Sequence, residues 1–149
     1  MKPSQGVVLI LLLAVFFAPA ACGKKDPPFL PARDMPFKVE KLKAECKNGV
    51  FHLKGTVVDS QGRVMDMSDI ESCRIYHACY PLDNPPCEGC PIDYGKFKEI
   101  TAEVTAQGKF SCRAPGKKGK GIHFFKIRLI GQKREIGPFS DRAKLVIDG

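Results

Sequence analysis

From Phe37 onward the chain alternates apolar and polar residues with a two-residue period, and no stretch there has helical spacing. Such alternation marks strands with one buried face. In "KLKAEC", Leu42, Ala44 and Cys46 share one face, and Lys41, Lys43 and Glu45 share the other. Asn48-Gly49 then supplies a tight turn. "VFHLKGTVV" aligns Phe51, Leu53, Gly55 and Val57, and "DSQGR" at 59–63 reads as a loop. "DIESCRIYHACY" aligns Cys73, Ile75, His77 and Cys79, and "KFKEITAEV" and "GKFSCRA" are further short strands. "GIHFFKIRLIG" aligns Phe125, Ile127 and Leu129; after the turn "GPFS", "DRAKLVI" aligns Ala143, Leu145 and Ile147. Seven short strands with turn signals between them predict an all-β fold, a seven-stranded antiparallel sandwich of two sheets over residues 37–149.

The first residues follow another rule. Lys2 precedes an apolar run, "VVLILLLAVFFAPA", from Val7 to Ala20. It is shorter than the roughly 20 residues that a membrane-crossing helix needs. A basic start, a short apolar core and a small-residue end read as a secretory signal over residues 1–21. The small residues Ala20 and Ala21 directly before Cys22 resemble the lipobox of bacterial lipoproteins. That resemblance implies cleavage before Cys22, a diacylglyceryl group on its sulfur and an acylated amine. Several acyl chains on one residue make a stable anchor. Gly23 stands where Asp would retain such a protein in the inner membrane, so the resemblance implies the outer membrane, facing the periplasm. Pro27, Pro28, Pro31 and Pro36 then make residues 22–36 a semi-rigid tether. "CGKKDPP" is also similar to the mature start of small lipoproteins that assist lipopolysaccharide export, which implies an accessory role there.

The domain resembles the fibronectin type III family. That family's sixth strand typically reads Tyr-x-Tyr-x-Val-x-Ala, and "HFFKIRL" puts His123, Phe125, Ile127 and Leu129 at those places. "GPFSDRAKLVI" is similar to the Gly-x-x-Ser start of the last strand, and "DIESCRIYH" to the third strand. The family's second-strand Trp falls near Gly55 and its corner Tyr at His123, so other side chains must fill both roles. Such sandwiches serve as spacers, adhesion modules and binding scaffolds, and the fold alone does not choose among them.

Composition bounds the chain to one ordinary domain after its leader: it has 149 residues and no Trp. Its charge of +8 is uneven. Residues 22–105 carry 12 Lys/Arg against 13 Asp/Glu, and residues 106–149 carry 11 against 3. A basic last third suits an acidic glycan, a lipid headgroup or another envelope protein. Nucleic acid does not fit an exported chain. Within this third, "PGKKGKG" is a flexible basic loop offering Lys117, Lys118 and Lys120 as binding residues. It lacks the Ser/Thr and the strand–helix setting of a phosphate-binding loop.

Cysteine supplies the remaining candidate chemistry. Besides the anchor Cys22 there are Cys46, Cys73, Cys79, Cys87, Cys90 and Cys112. "HACYPLDNPPCEGCP" offers four uses. Haem attachment needs His after Cys-x-x-Cys, and Pro91 stands there. Zinc would take Cys87 and Cys90 with Cys79 and His77, without the second Cys-x-x-Cys that usually completes such a site. A redox pair at "CEGC" would want a helix N-terminus to stabilise the thiolate, and Glu88 and Asp83 oppose that. An even number of cysteines in a small domain of an oxidising compartment points to structural disulfides. One bridge is expected to tie the loop 79–94 to Cys79, and another to link the two sheets through Cys46, Cys73 or Cys112. The sequence does not select the pairing. His52 is expected to be solvated, and His77 and His123 to be core histidines.

These readings combine into a lipid-anchored envelope protein that displays a stapled sandwich for binding or scaffolding, with no enzyme activity and no cofactor. The rival function is a periplasmic thiol–disulfide redox protein using Cys87 and Cys90.

Overall fold

The computed structural model describes residues 35–64, 70–116 and 119–148. The signal segment, Cys22, the tether up to residue 34, and Lys117 and Lys118 lie outside the described residues. Eight strands form: β1 Lys38–Lys47, β2 Val50–Val58, β3 Ile70–Tyr80, β4 Lys98–Thr101, β5 Glu103–Val104, β6 Lys109–Pro115, β7 Gly121–Gly131 and β8 Ala143–Ile147. They make two antiparallel four-stranded sheets, β1-β2-β6-β5 and β4-β3-β7-β8, with no helix among the described residues.

The eighth strand comes from "KFKEITAEV", expected as one strand. Its first half pairs with β3, Ile100 opposite Cys73, and its second half pairs with β6, Val104 opposite Phe110. The chain changes sheets at buried Ala102. Alternation cannot reveal such a crossing. Both sheets turn their inner faces to one core, so Ile100, Ala102 and Val104 keep their inward parity on passing from one sheet to the other.

Inward residues of both sheets build that core: Phe51 and Leu53 from β2, Phe110 and Cys112 from β6, Cys73 and Ile75 from β3, Phe125, Ile127 and Leu129 from β7. Each fully buried Leu, Ile or Phe contributes about 1.5–3 kcal/mol relative to exposure. Met35, at the expected end of the tether, is also buried, and its N–H donates to Ile136 O at 3.2 Å.

At Gly55 strand β1 comes very close. A Cβ added there would collide with Val39 Cγ1 and come within 2.9 Å of Glu40 O. Val39 approaches this closely because β1 bulges between Glu40 and Lys43, with Lys41 at φ 53°. The N–H of Lys41 is held by Asp141 Oδ2 at 2.9 Å. The bulge is thus tied to the segment leading into β8.

His123, 2% exposed, bonds Gly119 O through Nε2 at 3.0 Å, reaching back four residues. Asn48 and Gly49 both take positive φ, 52° and 76°, as the tight turn between β1 and β2 requires.

Candidate functional site: an aromatic and cationic groove

The outer face of the β4-β3-β7-β8 sheet departs from an ordinary solvated surface. Outward positions of β3 and β7 pair across the strands as Arg74 with Arg128, Tyr76 with Lys126, and Ala78 with Phe124. Like charges directly opposite one another destabilise a sheet. Here each is accommodated separately. Arg74 Nε donates to Glu99 Oε2 at 3.2 Å, and Arg128 Nε donates to Gly137 O at 2.7 Å. Burial alone would raise the Glu99 pKa, but hydrogen bonds from Arg74 and Ser72 and the charge of Arg134 outweigh it and hold it below the usual range.

Aromatic rings lie among these cations. The Tyr76 ring is 5.7 Å from Phe97 and 5.0 Å from Phe139. The Arg74 guanidinium lies 4.4 Å from the Phe97 centroid, and that of Arg128 lies 5.0 Å from Phe139. Lys126 Nζ is 5.6 Å from Phe139, within reach of its ring face. Both phenylalanines nevertheless keep much of their surface open, Phe97 44% and Phe139 46% exposed.

One end of this face is covered by the Cys-rich loop. Pro86, Cys87, Glu88 and Ile92 border a small cavity together with Phe124, Arg142 and Lys144. The Tyr80 ring at 5.9 Å and the Arg142 guanidinium at 5.4 Å pack on Phe124, which is buried although it points away from the core. Between this loop and the β7–β8 connection runs an open groove of about 570 Å³. Gly89, Cys90, Pro91, Ile92 and Tyr94 form one wall, Phe139 to Arg142 form the other, and Tyr76 and Lys126 lie between. Ser140 fixes the second wall. Its Oγ accepts from Ile127 N–H at 3.0 Å and donates to Asp141 O at 2.8 Å.

Two features make the groove receptive. The Tyr94 hydroxyl oxygen is buried, with no hydrogen-bond partner among the described residues. Burial raises its pKa, so the phenol stays a proton donor, although nearby Arg142 pulls in the opposite direction. No described carboxylate forms an ion pair with Lys126 or Arg142.

The cysteines arrange themselves differently from the expectation. Cys87 and Cys90 are bonded to each other, and Cys46, Cys73, Cys79 and Cys112 are free thiols. No bridge runs from the loop to Cys79: the two loop cysteines bond each other, and Cys79, exposed near the end of β3, faces His123 Nε2 at 3.7 Å. Its neighbour Gly121 leaves room for the sulfur: a Cβ there would come within 2.9 Å of Cys79 Sγ. Cys73 and Cys112 come from opposite sheets and share the core without a covalent link. The hydrogen bond that the Cys73 thiol donates to Cys112, then burial, push the Cys73 thiol far upward, so it stays protonated.

His77 and His123 bond each other at 2.9 Å; His123 is buried, as expected of a core histidine, whereas His77 is only half-buried. Among the described residues no three His, Cys, Asp or Glu side chains converge as a metal-binding set. Lys120 is exposed beside Gly121 and is not among the groove-lining residues. The groove itself escaped the reading of the sequence. Its only signal there was the outward alternation of Arg74 and Tyr76 against Lys126 and Arg128. No protein-family model matches the chain, and a search of curated proteins finds no match.

Proposed function

We propose that this chain is a lipid-anchored protein of a bacterial cell envelope that displays its β-domain for binding or scaffolding and performs no catalysis. The observation that carries the reading is the groove, where exposed rings and cations without an ion-pair partner meet on one open face, beside Tyr94, whose buried hydroxyl has no partner. Proteins rarely leave such groups together without a partner to cover them. The strand order supports a fibronectin type III or immunoglobulin-like assignment. Read as A to G, β1-β2-β6-β5 follows A-B-E-D, and β3-β7-β8 follows C-F-G with β4 added at the edge. The apolar leader and Cys22 support export and anchoring at the outer membrane. Replacing Cys22 by Ser tests the anchor: release from the membrane fraction is expected, and unchanged retention would contradict it.

One observation favours a second reading. The bond between Cys87 and Cys90 closes within an exposed turn and ties the loop to nothing else. As a redox pair it would accept two electrons and two protons from a partner dithiol, becoming two thiols while the partner became a disulfide. Rapid reduction by glutathione under native conditions would favour that reading; resistance favours the binding module.

A further inference from the structure

The groove also specifies the chemistry of its occupant. We infer that it binds an anionic glycan, seating a sugar that carries a carboxylate or phosphate between Lys126 and Arg142 with its ring against Phe139. This rests on the reading of the chain as a binding module and names the class of partner.

Charge makes the first selection. The last third of the chain carries 11 basic against 3 acidic residues, and it brings Lys126 and Arg142 to the groove, neither in an ion pair with a described carboxylate. Asp141 is the acidic residue of the lining; its Oδ2 accepts the Lys41 N–H at 2.9 Å and keeps its charge, so two cations stand against one carboxylate. An anion is therefore favoured over a neutral ligand on this face.

Shape and polarity select further. A volume of about 570 Å³ suits one or two sugar rings rather than a folded partner. The groove lies on the face of the sheet, over β3 and β7, so no free strand edge is available there to hold an extended peptide backbone. A saccharide presents flat C–H surfaces to open rings such as Phe139, hydroxyls to a phenol such as Tyr94, and one anion to paired cations. The groove offers all three. Tyr94 lines the groove, and its hydroxyl, buried without a partner, would meet a sugar oxygen as acceptor once the ring turns toward the ligand.

A titration of the full chain in neutral detergent, followed by NMR, tests the assignment. The probe is a short oligogalacturonate; dextran oligomers, a polyglutamate peptide and phosphatidylglycerol vesicles serve as comparisons. Saturable shifts at Tyr94, Lys126, Phe139 and Arg142 are expected with the oligouronate and not with dextran. Affinity should fall at least tenfold in Lys126→Ala/Arg142→Ala and severalfold in Tyr94→Phe. Lys47→Ala, on the other sheet, should leave it unchanged. Tyr94→Phe removes one oxygen only and serves where the double variant fails to fold. Shifts centred elsewhere would overturn the groove but leave a binding module. A response only to peptide or vesicles would overturn the glycan, and no response to any probe would overturn the proposal. The Cys22 fractionation reads the anchor independently of all these outcomes.

Discussion

His77 Nε2 and His123 Nδ1 lie 2.9 Å apart, and the remaining ring nitrogen of His123 faces Gly119 O at 3.0 Å. A carbonyl can only accept, so His123 carries its proton on Nε2. Its Nδ1 is then an acceptor, and His77 must donate from Nε2. The tautomers follow from the partners, and the chain of bonds is complete with both rings neutral. Phe51 packs on both rings, at 5.4 Å from His77 and 5.2 Å from His123. A polar relay thus closes one end of the apolar core.

Protonation should break that relay. Burial first, then His123 and the charge of Lys98, hold the His77 pKa below its ordinary value. A group whose folded pKa is depressed stabilises fully above the unfolded pKa, about 6.5, and that stabilisation is lost as pH falls through the folded value. Urea midpoints should therefore decline from about pH 7 toward pH 5, by less than the limit of about 1.4 kcal/mol per pH unit for one proton, since His77 is only half-buried. His77→Gln should flatten this window. An equally steep decline in the variant would assign the titration to another group.

Gly55 should tolerate no side chain. A methyl there meets Val39 and the Glu40 carbonyl, and the bulge that brings them close is fixed by Asp141. Gly55→Ala is expected to cost about 1–3 kcal/mol in chemical denaturation, the range for overpacked cores. A neutral result would mean that β1 can withdraw freely.

Thiol reactivity should separate the four unbonded cysteines. Cys79 is exposed and should be alkylated first in the native, unreduced protein. Cys73 is buried with its thiol held protonated, and Cys112 lies beside it, so both should react only after unfolding. Peptide mapping after a short iodoacetamide pulse reads this order directly. Early labelling of Cys73 would contradict the packing of the core.

The Cys87–Cys90 bond should matter locally. In the chain-entropy model a ring this small contributes at most about 2 kcal/mol. Cys87→Ser/Cys90→Ser should speed hydrogen exchange at the Cys90 N–H, which donates to Cys87 O at 3.1 Å, and leave β2 and β7 amides protected. Faster exchange spread across β7 would show that the loop supports the whole sheet.

The strands were legible because parity is local information. Leu53, Cys73, Phe125, Ile127 and Leu129 are inward in both the sequence and the structure. Two things were not local. The crossing at Ala102 preserves parity, so alternation passes through it unchanged. The groove brings together Tyr76, Tyr94, Lys126 and Arg142, which lie on β3, the long loop, β7 and the approach to β8. No spacing rule links them. Cys79 had the right parity for the core, and its sulfur does face His123, but it stands near the end of β3, where the residue is exposed.

The central claim is that this domain is displayed from a membrane through Cys22. Intact mass and N-terminal peptide mapping of protein isolated from membranes tests it most directly. The account predicts a mature chain beginning at Cys22 and carrying diacylglyceryl and acyl groups. A chain that retains residues 1–21, or an unmodified Cys22 in the membrane-derived protein, would contradict it.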